Sequence, residues 1–127
     1  MYTSGKLRPI TNPLNSFLFE REFDNVDRVF KKLSKLAENL PRTKVIKKDD
    51  IYWKGVCKSL VFRFPDDLEI LKIKNNLEHK FSRGTIQIRS SSRFGQSDLG
   101  VNQRRITTLI SKLNKLIMIS IIMILVY

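Results

Sequence analysis

The spacing of apolar residues changes at Pro41, and this change constrains the fold more than any other feature of the chain. Between Asp24 and Leu40 the apolar residues recur every three or four positions, which predicts an amphipathic helix with Asp24 as its N-cap. After Pro41 they alternate with polar residues or form short runs bounded by turn residues, which is typical of strands. A helix followed by strands indicates an α+β domain.

Short apolar stretches predict four strands after Pro41, at 43–48, 51–64, 68–73 and 85–89. Asp49-Asp50 is the predicted turn of a first hairpin, and Pro65-Asp66-Asp67 is predicted to end the long second strand. Residues 74–76 are read as a turn and 79–84, with His79, as a polar connection. Gly55 indicates a bulge or a close approach by another backbone. We expect an antiparallel meander.

A second amphipathic helix is predicted to begin near Val101, and both helices are expected to cover one face of the sheet. The length of 127 residues fits one domain. We divide the chain into an extended N-terminal arm at 1–23, an α+β domain at 24–113 and an apolar tail at 114–127.

Ser120 is the only clearly polar residue in the last twelve, from Leu116 to Tyr127. As a helix this twelve-residue segment would be about 18 Å long. A helix that spans a membrane needs about 20 residues, because the bilayer core is about 30 Å thick. Three interpretations remain: a core or interface segment, a partly inserted membrane anchor, or a tail that packs opportunistically. Its periodicity leaves helix and strand both open. The candidate contact residues are Leu116, Ile117, Ile119, Ile121, Ile122, Ile124 and Leu125.

The chain has 24 Lys and Arg against 12 Asp and Glu, so its net charge is +12 and it should attract polyanions such as RNA, anionic lipid or acidic protein. One cysteine, Cys57, and one histidine, His79, exclude an internal disulfide and a zinc site made of Cys or His. Few groups suit proton transfer near neutral pH. We expect no catalysis, no cofactor and no small-molecule substrate.

Polar residues crowd the segment from Ile88 to Ile106. Asp98 is predicted to cap the second helix, and Arg89 and Arg93 are predicted to project from one face of their strand. Asp66 and Asp67 are candidate partners for these arginines. The group is expected to be a structural clasp or an anion or partner site. Its members are Asp66, Asp67, Arg89, Ser90, Ser92, Arg93, Ser97, Asp98, Asn102 and Arg105.

Two motifs of this region resemble the domain-of-unknown-function 1499 family. They are Phe62-Arg-Phe-Pro-Asp-Asp67 and the run from Arg89 to Arg105, which reads Arg-Ser-x-Ser-Arg, then Gly-x-Ser-Asp-x-Gly-x-Asn, then a downstream Arg. The resemblance covers roughly residues 24–113. It implies no reaction or cofactor, and it implies a bacterial or plastid context, in plastids often at thylakoids.

We therefore expect a non-catalytic accessory or scaffold subunit of a photosynthetic membrane complex, such as a photosystem or antenna assembly. It would bind protein subunits and place its tail on a membrane or an apolar protein surface at the thylakoid. The abundance of Lys, Ile and Asn is consistent with an A+T-rich organellar gene. One alternative is a basic protein of an organellar ribosome or another RNA assembly, although nucleic acid is the less favoured partner. The second alternative is a lipid- or pigment-binding module.

Overall fold

The computed structural model describes residues 2–3, 5–74, 83–95 and 97–126, and the side chains of residues 2 and 3 are not described. The predicted turn residues 75–76 and the predicted polar connection around His79 lie outside the described residues. Tyr127, the last residue of the predicted tail, also lies outside them.

The protein is an α+β structure in which two helices pack on one face of an antiparallel sheet. Its elements, in chain order, are β1 (Tyr2–Thr3), β2 (Lys6–Leu7), β3 (Ser16–Phe23), α1 (Val26–Glu38), β4 (Thr43–Lys48), β5 (Tyr52–Lys58), β6 (Pro65–Lys74), β7 (Gly84–Ser92) and α2 (Val101–Val126). Strands β1 and β2 pair with each other, and the other five form one sheet in the order β3-β7-β6-β5-β4. The predicted meander corresponds to β4 through β7.

The sheet has five strands rather than the four predicted, because Ser16–Phe23 forms β3 and pairs with β7 along its whole length. The prediction that these residues belong to an extended N-terminal arm is therefore wrong for β3. Phe17 and Phe19 pack against the main core, whereas Leu18 packs on the opposite face of the sheet. Both faces of β3 therefore carry apolar side chains, and this hid the alternation that usually identifies a strand.

The predicted long second strand is two structures. Strand β5 ends at Lys58 and β6 begins at Pro65, so residues 59–64 form a hairpin loop. Val61 and Phe62 are 77% and 74% exposed in this loop. Pro65 therefore begins a strand instead of ending one, at a position where proline is tolerated. Periodicity could not detect the loop because it reports which residues are apolar and does not report which are buried.

Helix α1 carries its apolar residues on one face, as predicted, and contacts every strand of the five-stranded sheet. Its N-cap is Asn25 rather than Asp24, since the Asn25 side chain accepts a hydrogen bond from the backbone N–H of Arg28. Asp24 forms an ion pair with Arg83 instead. Asp and Asn cap equally well, so neighbouring candidates cannot be separated from sequence.

Helix α2 begins at Val101, as predicted, and remains helical to Val126. Ile106, Leu109 and Leu113 are buried in the core that α2 shares with α1 and the sheet. Ile117 is partly buried against the same core, and most of the side chains after it are about half exposed or more. The tail is thus a continuation of the helix.

The strand directions give the sheet two distinct ends. At the loop end, β3 begins at Ser16, β7 ends at Ser92, and the 59–64 loop joins β5 to β6. At the tail end, strands β3, β4 and β6 finish and strands β5 and β7 begin. The β4–β5 turn also lies at this end.

Helix α2 runs from the loop end to the tail end. Near its start the Asn102 side chain donates to the carbonyl of Asn15, which precedes β3. Further along, the Arg21 side chain, close to the end of β3, donates to Asn114 Oδ1 at 3.3 Å. Ile117, about one turn later, still packs against the core, so the residues after it extend past the sheet at the tail end.

Candidate functional site

The predicted polar residues lie on both faces of the sheet and do not form one cluster. Asp66, Ser90 and Ser92 point toward the helices, whereas Asp67 and Arg89 point to the other face. This division follows from strand geometry, since adjacent side chains in a strand point to opposite faces.

Asn102 is the centre of the cluster on the helix side. It is completely buried, and its Nδ2 lies within 2.9 Å of Asn15 O, Ser92 Oγ and Asp98 Oδ2. Its Oδ1 accepts hydrogen bonds from Ser90 Oγ at 2.5 Å and from Arg105. One side chain therefore joins the segment before β3, the end of β7 and the start of α2.

Arg105 adds a buried ion pair to this cluster. Its Nη2 lies 2.9 Å from Asp66 Oδ2, and the two side chains are 11% and 6% exposed. Its Nη1 also donates to Ser90 Oγ at 3.0 Å. The prediction that Asp66 pairs with Arg89 or Arg93 is wrong, because Asp66 faces the helices. We call the group Asp66, Ser90, Ser92, Asp98, Asn102 and Arg105 the clasp.

Asp98 caps α2 as predicted. Its carboxylate accepts from the backbone N–H of Gly100 at 2.7 Å and of Asn102 at 2.9 Å. Burial alone would raise the pKa of Asp98, but hydrogen bonds from Asn102 and Gly100 outweigh it and hold the pKa below its ordinary value. Gly95 and Gly100 have φ angles of 88° and 83°, in the left-handed region expected for these glycines. Ser97 Oγ accepts a 3.4 Å hydrogen bond from Leu99 N, and among the described residues it forms no hydrogen bond with a clasp side chain.

Arg89 and Arg93 share the face opposite the helices, as predicted, but they have different partners. Arg93 forms a bidentate pair with Asp67, with its Nε 3.0 Å from Oδ2 and its Nη2 2.8 Å from Oδ1. Burial would raise the pKa of Asp67, but Arg93 and Lys54 hold it below its ordinary value. Arg89 donates to the carbonyls of Arg8 and Pro9, so the N-terminal segment covers part of this face.

A buried polar pair that was not predicted from the sequence lies on the same face. Tyr52 Oη donates to Glu69 Oε2 at 2.9 Å, and both residues are completely buried. Burial, with the adjacent Glu69 carboxylate, raises the pKa of Tyr52, so the phenol stays protonated as a donor. Arg8 Nη2 lies 3.6 Å from Glu69 Oε1. The available signal was the single acid in the apolar stretch Leu68–Ile73.

The clasp pairs its charged and polar groups with one another, and this favours a structural role over a ligand site. Its acids accept from backbone N–H groups and an arginine, and its amide and hydroxyl groups bond within the cluster. In the described part of the chain, no group of three or more His, Cys, Asp or Glu side chains could hold a metal ion.

The exposed surface offers more candidate binding residues than the clasp does. Among the described residues, every large apolar side chain that is more than half exposed, apart from Ile46, lies at the loop end or in the tail. The loop-end group is Leu14, Leu60, Val61, Phe62, Phe64, Phe94 and Leu99. Within it the Phe62 and Phe64 rings stack, with centroids 5.4 Å apart.

Helix α2 is long and apolar enough to cross a membrane by length and composition. Only 11% of its most apolar window is buried inside the protein. The domain packs the helix as far as Ile117, however, so the free part from Met118 to Val126 is about 14 Å long. This length is shorter than the bilayer core of about 30 Å.

The sequence model of the family described as a protein of unknown function (DUF1499) matches residues 6–113. The chain belongs to this family. The DUF1499 match begins before β3, which supports placing that strand inside the domain, and it ends at Leu113, the last buried residue of α2. The exposed apolar tail lies outside the DUF1499 match. A search of curated proteins finds no match to the chain.

Replacing Arg105 tests the clasp. Arg105→Met removes the partner of the buried Asp66, so we expect the free energy of unfolding to fall by about 3–5 kcal/mol. Arg93→Met is the matched control: its pair with Asp67 is more exposed, and the expected loss is about 1 kcal/mol or less. Urea unfolding in mild detergent, followed by Trp53 fluorescence, measures both. Equal losses in the two variants would contradict a stabilising role for the clasp.

Replacing Asp98 gives a pH-dependent prediction. The pKa of Asp98 is lowered in the folded state, so the ionised carboxylate stabilises the fold at pH values above the ordinary aspartate pKa near 4. This stabilisation is lost as the pH falls through the lowered pKa. Asp98→Ala should cost about 1 kcal/mol at pH 7, and the difference from the wild type should shrink below about pH 4. Ser97→Ala should change little at any pH. A difference independent of pH would rule out the ionised cap.

Proposed function

We propose that the protein is a non-catalytic adaptor that joins a membrane to a protein partner. In this proposal the tail of α2 enters the membrane surface, and the loop end binds the partner. The single observation that carries it is the concentration of exposed apolar side chains at two opposite ends of the domain.

The tail supports the membrane half of the proposal. From Met118 to Val126 the apolar side chains are 47–80% exposed, and they lie on all sides of the helix. A helix that is apolar all round is stable only inside a protein or in lipid, and in water it would aggregate. Its free length suits partial insertion, with Lys112 and Lys115 at the level of the headgroups.

The loop end supports the partner half. Phe62, Phe64 and Phe94 are 52–74% exposed beside Arg63 and Arg93, and aromatic residues with arginine are enriched in protein interfaces. Strands of 8 to 10 residues separate this end from the tail end, a distance of about 30 Å. The loop end would therefore face away from a membrane that holds the tail.

The clasp has a mechanical role in this proposal. It holds the first turns of α2 to β6, β7 and the segment before β3, so the position of the tail relative to the loop end is set by a buried network. We propose no catalytic residue, because the buried charged groups already have partners. Asp66 and Arg105 pair with each other, Glu69 accepts from Tyr52, and Arg89 donates to backbone carbonyls.

The proposal also names the membrane and the partner complex. We propose that the membrane is the thylakoid membrane of a plastid and that the partner is a pigment-bearing photosynthetic complex. The family resemblance and the bias toward Lys, Ile and Asn support this location. A basic subunit of an RNA assembly is the competing function, supported by the net charge of +12.

Deleting residues 116–127 tests the anchor. The truncated protein loses the partly buried Ile117 but keeps the buried Ile106, Leu109 and Leu113, so it should fold and move from the membrane pellet to the soluble fraction. Fractionation with immunodetection measures this shift, and Trp53 fluorescence checks the fold. Membrane retention unchanged by the deletion would overturn the anchor.

Replacing the loop-end aromatics tests the partner surface. The triple variant Phe62→Ser, Phe64→Ser, Phe94→Ser should stay in the membrane but no longer co-migrate with a large complex after gentle solubilisation. Size separation with mass spectrometry, with and without nuclease, measures co-migration. The variant also serves as the control for the tail deletion, since it should keep its anchor. Co-migration that persists in the variant, or that collapses on nuclease treatment of the wild type, would contradict the proposal.

A further inference from the structure

A basic groove of about 960 Å³ lies between α1 and the β4–β5 turn. The groove reaches the tail end, since the β4–β5 turn and the end of β6 form part of its wall. Its lining contains seven Lys and Arg residues but only three acids.

The cations of the groove are of two kinds. Lys72 and Lys74 both bind Asp27, at 2.5 and 3.1 Å, and Lys48 binds Glu38 at 2.7 Å. These three lysines are therefore already neutralised in part. The other cations come from α1 and form no ion pair with any residue that the structure describes: Arg28, Lys31, Lys32 and Lys35.

The spacing of these α1 cations makes them unfavourable to one another. Arg28, Lys31 or Lys32, and Lys35 stand three or four residues apart, so they lie along one face of the helix. Like charges at this spacing repel and destabilise a helix. A bound anion would remove the repulsion, so the protein carries a local preference for an anionic ligand.

The groove also contains an unused polar group and an apolar wall. Ser34 is 4% exposed, and its Oγ has no hydrogen-bond partner among the described residues. Its hydroxyl can rotate to donate to a ligand oxygen. Phe30 and Ile51 line the groove as well. Cations, a hydroxyl and apolar side chains together suit a phosphate group attached to an apolar body.

The position of the groove indicates which molecule carries that phosphate. The groove reaches the tail end, where the free part of α2 leaves the domain. A membrane that receives the tail would therefore lie beside the groove. Basic residues next to an apolar helical anchor are typical of proteins that bind anionic lipid surfaces.

We propose that the basic groove binds the phosphate headgroup of an anionic phospholipid in the membrane that receives the tail. Lys31, Lys32 and Lys35 surround the phosphate, and Ser34 donates a hydrogen bond to it. The site rests on the proposed membrane function and adds lipid selectivity to it: the tail supplies binding to any bilayer, and the groove supplies the preference for an anionic one.

The experiment measures binding of the full chain to two kinds of vesicle, phosphatidylcholine alone and an equal mixture with phosphatidylglycerol. The groove variant is Lys31→Gln, Lys32→Gln, Lys35→Gln. Its matched control, Lys6→Gln, Lys44→Gln, Lys58→Gln, removes the same charge from outside the groove. Each cation should contribute about fivefold to the affinity for the mixed vesicles, so we expect the groove variant to bind them about a hundredfold more weakly than wild type. Its affinity for phosphatidylcholine vesicles should not change. The control variant should lose much less affinity for the mixed vesicles. Ser34→Ala should lower this affinity several-fold although it does not change the charge.

The outcomes separate this site from the proposed function. If wild type binds neither vesicle, the membrane function fails. If it binds both equally, or if the groove variant and its control weaken equally, the membrane function stands and the groove site is overturned. Two further results would overturn the phospholipid as the ligand. The first is that inorganic phosphate, at a concentration equal to that of the lipid phosphate, displaces the protein from the mixed vesicles. The second is that an RNA oligonucleotide binds the groove more tightly than the mixed vesicles do.

Discussion

The buried contact between α2 and the sheet is the interaction on which the rest of the structure depends. Asn102 and Arg105 bring four segments together, and their partners Ser90 and Asp66 lie on neighbouring strands. Polar groups at such a depth are stable only when all of them are paired, so the geometry admits little variation. The direction of α2, and with it the place where the tail leaves the domain, follows from this contact.

Strand alternation then separates the polar residues into groups with different roles. Residues adjacent in sequence, such as Asp66 and Asp67, serve opposite faces of the sheet and have different arginine partners. The helix side is closed by the clasp, and the other face is partly covered by the N-terminal segment through Arg89 and the buried Tyr52–Glu69 pair. The surface left for binding is at the two ends.

Much of the fold could be predicted because its elements carry strong local signals. The helical spacing in α1, the alternation in β7 and the turn acids after β4 each report a local preference. The cap at Asp98 was also predictable, since a short acid before a helical pattern has few other structural uses. β3 and the 59–64 loop were not predictable, because a strand that packs on both faces loses its alternation and an exposed apolar loop resembles a strand.

By itself, the sequence determined the class of the fold, the order of β4 to β7, the cap at Asp98 and the apolar character of the tail. These features depend on residue type and spacing, which the chain carries locally. Tertiary structure alone decided which polar residues form the clasp, which arginine meets which acid, where α2 leaves the domain, and that the α1 lysines and the β4–β5 turn line one groove. Such facts depend on contacts between residues distant in sequence, since strand pairing and helix packing bring them together and no local pattern encodes that.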